Sequence, residues 1–178
     1  MLALGTRAPE FNLPDTVSGN NLSFDNIAGK KGTVVMFICN HCPYVIHINS
    51  EIVAVANDYK EKGIGFVAIS SNDVVNYPDD SPEKMTIHAK NVGYPFPYLY
   101  DESQSAAKDY DAACTPDFYV FNDTKDLVYR GRLDDSSPGN GKQLTGKDLR
   151  SSLDAVITGA DQEPTQMPSM GCNIKWKK

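Results

Sequence analysis

The sequence has no basic cluster ahead of its last few positions and no apolar stretch long enough to cross a bilayer. It holds only 4 cysteines, 3 histidines and 1 tryptophan. Each scarcity excludes something. Phosphate backbones are held by clustered Lys and Arg, and a chain of net charge −6 shows no such patch, so nucleic acid is not an expected partner. A membrane helix needs about 20 consecutive apolar residues, and no run approaches that, so no membrane partner is expected either. Met1 to Arg7 lacks the extended apolar segment of a secretion signal. Four cysteines are too few for a disulfide scaffold in 178 residues. They point instead to a reducing, cytoplasmic setting in which a pair is free for chemistry. With 40% hydrophobic and 22% charged residues, one globular domain is expected.

What the sequence does have is concentrated between Thr33 and Glu51. Thr33 to Ile38 is a run of β-branched and apolar residues that predicts a buried central strand. Cys39-Asn40-His41-Cys42 follows, then Pro43, a residue tolerated at the first position of a helix. Val45, Ile48, Ile52, Val55, Ala56 and Tyr59 recur at three- and four-residue steps, the apolar stripe of an amphipathic helix. A C-x-x-C on a strand-to-helix turn lies at the positive end of a helix dipole, which favours a thiolate; Cys39 is the expected nucleophile and Cys42 its buried partner. Two other chemistries fit a cysteine pair: inert packing and half of a zinc knuckle. Zinc needs a second pair of ligands, and Cys114 and Cys172 stand alone. No metal or cofactor is expected, and redox chemistry is the reading that fits strand, turn and helix together.

The rest of the chain supplies an α/β frame. Residues 5–32 predict a β-rich extension, Gly63 a helix end, and Ile64 to Ser70 a second buried strand, which together imply a parallel βαβ unit. Ser81-Pro82-Glu83 opens a helix that Gly93 ends. Phe96 to Tyr100 is a short edge segment, and Asp101 to Gln104 has the form of a capping box. Cys114-Thr115-Pro116 leads into the strand Phe118 to Phe121 and its antiparallel return from Leu127 to Leu133. Asp134 to Leu144 predicts a mobile surface loop, and Thr145 to Asp148 the cap of a last helix. His47 shares a helix face with Glu51 and Asp58, where a solvent-exposed ion pair is expected. Residues 1–160 form the expected domain. Residues 161–178 form a tail whose Met167, Met170, Ile174 and Trp176 predict docking.

These motifs resemble the thioredoxin-like superfamily. Thr115-Pro116 stands where such proteins carry a cis-proline loop. Gly5-x-x-Ala8-Pro9-x-Phe11-x-Leu13 and the Gly32-Thr-Val-Val-Met-Phe37 strand resemble the AhpC/TSA (peroxiredoxin-like) branch, here with a C-x-x-C. The resemblance covers roughly residues 3–160, and the ending Gly171-Cys-Asn-Ile-Lys-Trp176 is similar to the same group. It implies a central mixed β-sheet flanked by helices, catalytic Cys39 and Cys42, and support from His41, Thr115 and Pro116. His41 fills the slot before the second cysteine that DsbA-type oxidants also fill with His, which implies a stabilised Cys39 thiolate. Cys114 becomes a candidate third redox cysteine, and Thr115 a backbone edge for an added substrate strand.

Departures from the pattern separate the chemistries. Peroxiredoxins carry a hydroxyl residue three before the peroxide-attacking Cys; those positions here are Cys39 and Met36. Their Arg would fall near Thr115, leaving Arg130 and Arg132 as substitutes from the hairpin. Thioredoxins carry an Asp where this chain has Thr33, and a Trp where it has Ile38. The leading expectation is a thiol–disulfide oxidoreductase acting on a disulfide-bearing protein or a small thiol. The alternatives are a thiol peroxidase reducing hydroperoxides and a redox-sensing interaction module.

Overall fold

The N-terminal stretch forms an antiparallel hairpin, β1 (Asn12–Pro14) with β2 (Asn21–Ser23), and one turn of helix, α1 (Phe24–Ile27), capped reciprocally by Ser23 and Asn26. The apolar run becomes β3 (Gly32–Phe37), buried throughout, followed by α2 (Pro43–Tyr59). A 3-10 turn over Lys60–Lys62 closes that helix at the left-handed Gly63. Next come β4 (Ile64–Ser70), α3 (Pro82–Val92), β5 (Tyr98–Tyr100) and α4 (Ser105–Asp109). A two-residue strand β6 (Cys114–Thr115) precedes the hairpin of β7 (Asp117–Asn122) and β8 (Leu127–Gly131). The chain ends with α5 (Lys147–Thr158) and a second two-residue strand, β9 (Cys172–Asn173). The computed structural model describes residues 1–178. None of its helices is long and apolar enough to cross a membrane.

The main sheet has the order β5-β4-β3-β7-β8, with β4 parallel and β7 antiparallel to the central β3. Alternation along β3 sends Val34 and Met36 to one face and Val35 and Phe37 to the other. The first face packs under α2 and α5, against Val45, Ile52, Val55, Leu149 and Leu153, and both motif cysteines belong to this core. The second face is aromatic: Phe37 lies 5.4 Å from Tyr110 and 5.8 Å from Tyr119, ring centre to ring centre. Fully burying one such side chain stabilises by about 1.5–3 kcal/mol. Two filled faces therefore fix the end of β3, and with it the start of the motif.

Three expectations fail on long-range carboxylates. Asp101 forms no capping box; its buried carboxylate accepts from the Ala107 N–H (3.1 Å) and the Ser71 hydroxyl (2.8 Å), and α4 starts at Ser105 behind a left-handed Gln104. Thr145 is not the N-cap residue of the last helix: Asp134 accepts from Thr145 N (2.7 Å) and Gly146 N (2.6 Å), Gly146 takes the cap position, and Thr145 Oγ1 accepts from Lys147 N (3.4 Å) one residue earlier than expected. The same buried Asp134 also accepts from Ser136 N (2.8 Å) at the start of the loop. His47 makes no ion pair with its own helix. Its Nε2 lies 2.8 Å from Ser136 Oγ, while Glu51 and Asp58 go to Arg150 of α5.

Candidate active site

β3 hands the chain to the motif through Ile38, whose N–H donates to Ile69 O (3.0 Å). Cys39 is 1% exposed and Cys42 0%, so both sulfurs are inside the protein. The loop between them is held from below by Asp80, also fully buried. Asp80 Oδ1 accepts from Asn40 N (2.8 Å) and His41 N (3.3 Å), and Oδ2 from Asn72 Nδ2 (2.8 Å). His41 Nδ1 lies 2.6 Å from Asp80 Oδ2, outside hydrogen-bond geometry, and its ring stacks on Tyr77 at 6.0 Å. The imidazole expected to serve Cys39 is thus engaged by a carboxylate, which the sequence showed only as part of a polar loop. The donor atoms of Cys39, His41 and Asp80 lie within 4.8 Å of one another. Both Asp80 oxygens are already taken by amide donors, so the group works as an anchor for the loop and no metal is assigned to it.

The helix N-terminus falls on the second cysteine of the pair. Cys42 is the N-cap of α2, so it is Cys42, not Cys39, that occupies the helix N-terminus. The hydrogen bond from Cys39, the Cys172 thiol and the N–H groups of Val45 and Cys172 pull the Cys42 thiol well below its usual range, against the cost of burial. That hydrogen bond to Cys42, burial and the Asp80 carboxylate push the Cys39 thiol up. In the dithiol state Cys42 donates to Thr115 O (3.4 Å), and Cys39 Sγ lies 3.5 Å from Thr115 Oγ1. A hydroxyl missing from the motif itself is thus supplied by the neighbouring loop.

The Thr115–Pro116 bond is cis, and Thr115 touches both sulfurs. Its backbone edge is not open, however. β6 pairs antiparallel with β9, Thr115 opposite Cys172 and Cys114 opposite Asn173. The tail thus fills the edge expected to receive a substrate strand. Gly171 makes the fit possible: a Cβ there would lie 2.0 Å from Thr115 O. Gly131 clears a second crossing, where a Cβ would lie 2.2 Å from Met167 O. Ile174 is buried, and Lys175 is held through Asp73 N (2.8 Å), Asn72 Oδ1 (2.8 Å) and Gln104 Nε2 (2.9 Å). Cys114 turns toward Pro116 O at 3.8 Å, and burial and Asp117 push its thiol up to about 12. The cysteine packed against Cys42 is Cys172, not Cys114.

Asp117, directly after the cis-proline, is a further residue that sequence reasoning passed over. It is 3% exposed, and burial pushes its carboxyl up to about 6 although Ser169 Oγ and Tyr119 OH donate to it. A carboxyl raised by folding favours the folded state only while protonated. Its contribution is complete below the ordinary value of 3.8 and is lost as pH rises through about 6. That interval corresponds to about 3 kcal/mol. Urea denaturation at pH 4 and pH 7 should show the wild type losing most of that amount relative to Asp117→Asn. Parallel pH profiles for the two proteins would contradict the assignment.

A groove of about 210 Å³ opens beside Pro116, lined by Tyr44, Ile48, Arg132 and Met170, but neither motif sulfur reaches it. Arg132 is committed to Asp148 through Nε (2.6 Å). Arg130 pairs with Tyr119 across the hairpin, on the aromatic face away from the cysteines. Neither guanidinium stands at the sulfurs.

The sequence matches the Redoxin family over residues 3–146. The chain belongs to the Redoxin family. An uncharacterized conserved protein from Geobacillus kaustophilus is similar to this Redoxin-family chain at 54% identity, over 99% of this chain and 94% of its own, with a TM-score of 0.98. A hypothetical protein from Sinorhizobium meliloti 1021 is similar at 47% identity, over 99% and 96%, with a TM-score of 0.97. The thioredoxin domain of a thiol-disulfide oxidoreductase from Bacteroides vulgatus shares the fold at 18% identity, over 73% and 89%, with a TM-score of 0.62. No curated protein matches the chain. The molecule is a thioredoxin-like redox protein with a central mixed sheet flanked by helices.

Proposed function

We propose that this Redoxin-family protein is a thiol–disulfide oxidoreductase whose working couple is the Cys39–Cys42 dithiol, and that its substrates are small disulfides or thiols. The observation that carries the reading is the geometry of the pair, with both sulfurs against Thr115 of the cis-proline loop. Two buried cysteines sit three residues apart on the turn from β3 to α2, with Cys42 at the helix N-terminus. A thiolate attacks one sulfur of a disulfide, and the neighbouring thiol then resolves the mixed disulfide. The filled β6 edge supports small substrates over an extended polypeptide.

The peroxidase reading draws on one observation, the Thr115 hydroxyl beside Cys39. Peroxide binding calls for a cationic donor as well, and Arg130 and Arg132 are both directed elsewhere. The reduced protein mixed with oxidised glutathione should form the Cys39–Cys42 disulfide and release reduced glutathione. It should do so faster than with hydrogen peroxide at equal concentration. Rapid oxidation by peroxide with no reaction toward the disulfide would reverse the choice.

A further inference from the structure

The carboxy-terminal tail brings a third thiol to the reacting pair. β9 lies on β6 with Cys172 opposite Thr115, the residue whose carbonyl accepts from Cys42. Cys172 is half-buried and packs against the core that contains Cys39 and Cys42, whereas both motif sulfurs are closed to solvent. The segment is fastened on both sides. Before it, Ser169 Oγ donates to Asp117 Oδ1 (2.7 Å) and lies 2.6 Å from Gly131 O. After it, Ile174 N donates to Ala113 O (3.2 Å). Of these three cysteines, Cys172 alone keeps solvent exposure.

We propose that Cys172 is a reacting thiol of this site, passing the disulfide between the buried Cys39–Cys42 pair and a low-molecular-weight thiol in solution. The inference rests on the oxidoreductase reading and deepens it. From the oxidised pair, Cys172 loses its proton to solvent and its thiolate attacks Cys42 Sγ. The Cys42–Cys172 bond forms, the Cys39–Cys42 bond breaks, and Cys39 leaves as a thiolate that the Thr115 hydroxyl at 3.5 Å can meet before it takes a proton. An external thiolate then attacks Cys172 Sγ, forming a mixed disulfide and releasing Cys42. The N-terminus of α2 lies at Cys42 and favours its departure. A second external thiolate attacks the external sulfur of that mixed disulfide, yielding the external disulfide and the Cys172 thiolate. Two external thiols are oxidised and the protein disulfide is reduced to the dithiol, with no other oxidant or reductant.

The test uses the full-length chain with glutathione as the probe. Cys39→Ser treated with oxidised glutathione, blocked with an alkylating reagent and digested, should yield the Cys42–Cys172 peptide pair. A Cys42–Cys114 pair, or glutathione left on Cys42, overturns the proposal. Cys172→Ser should still form the Cys39–Cys42 disulfide, but reduced glutathione should open it about tenfold more slowly, because an intramolecular thiol has been lost. An unchanged or faster rate makes the tail a mere cover and also overturns the proposal. Should Cys39→Ser fail to fold, wild-type protein held in a glutathione buffer near its midpoint and quenched gives the same answer. Both disulfides present supports the relay. Cys39–Cys42 without Cys42–Cys172 defeats the relay alone, and neither disulfide defeats the oxidoreductase reading with it.

Discussion

Cys42→Ser is expected to reduce exchange with small disulfides by about a thousandfold or more, the scale on which removing a reacting nucleophile acts. Cys42 is the sulfur on which the site converges. It caps α2, meets the Val45 amide, faces Thr115 O and packs against Cys172. Removing Cys42 takes away the sulfur with which both other cysteines would pair. Cys39→Ser should behave differently, still reacting with a small disulfide and releasing its thiol but not completing turnover through the Cys39–Cys42 bond. Rates of thiol release from oxidised glutathione, with intact-mass measurement of adducts, separate the two variants. A Cys42→Ser protein that reacts at the wild-type rate while Cys39→Ser is inert would return the nucleophile to Cys39, as the motif alone implied.

Asp80→Ala is expected to cost about 3–5 kcal/mol of folding stability, the range for removing one partner of a buried charged network. The carboxylate is fully buried and serves Asn40 N, His41 N and Asn72 Nδ2. Each of these donors would be left without an acceptor, and a buried unsatisfied donor costs about 1–3 kcal/mol. The penalty falls on the loop between the two cysteines, so alkylation of the pair should also accelerate. Asp80→Asn keeps an acceptor and should retain part of the stability. Urea midpoints of the three proteins measure the loss. A wild-type midpoint for Asp80→Ala would mean that the loop is held by its own turn.

What the sequence disclosed, and what it withheld, divides along sequence distance. The central strand, the helix from Pro43 and its stop at Gly63 were legible because period, cap and breaker lie within a few residues of one another. Thr115–Pro116 was placed beside the motif through family resemblance, and the structure puts it there. Asp80, 40 positions after the loop it anchors, carried no local sign. The capping-box pattern at Asp101 misled because the carboxylate turned to Ala107 N and Ser71 instead. The tail was read as docked from its apolar residues, yet only the register of β9 on β6 shows that it seats Cys172, not Cys114, against Cys42. Gly171, whose missing side chain lets that register form, could be singled out only once the Thr115 carbonyl was seen beside it.

The central claim is that Cys39 and Cys42 form one two-electron redox couple. It is tested most directly by equilibrating the protein in glutathione buffers of graded ratio, quenching with acid and an alkylating reagent, and mapping the disulfides. The account predicts a Cys39–Cys42 disulfide that forms and opens reversibly along a single two-electron curve, with the wild-type fold retained in both states. Free Cys39 and Cys42 thiols across the whole range of buffers would contradict it.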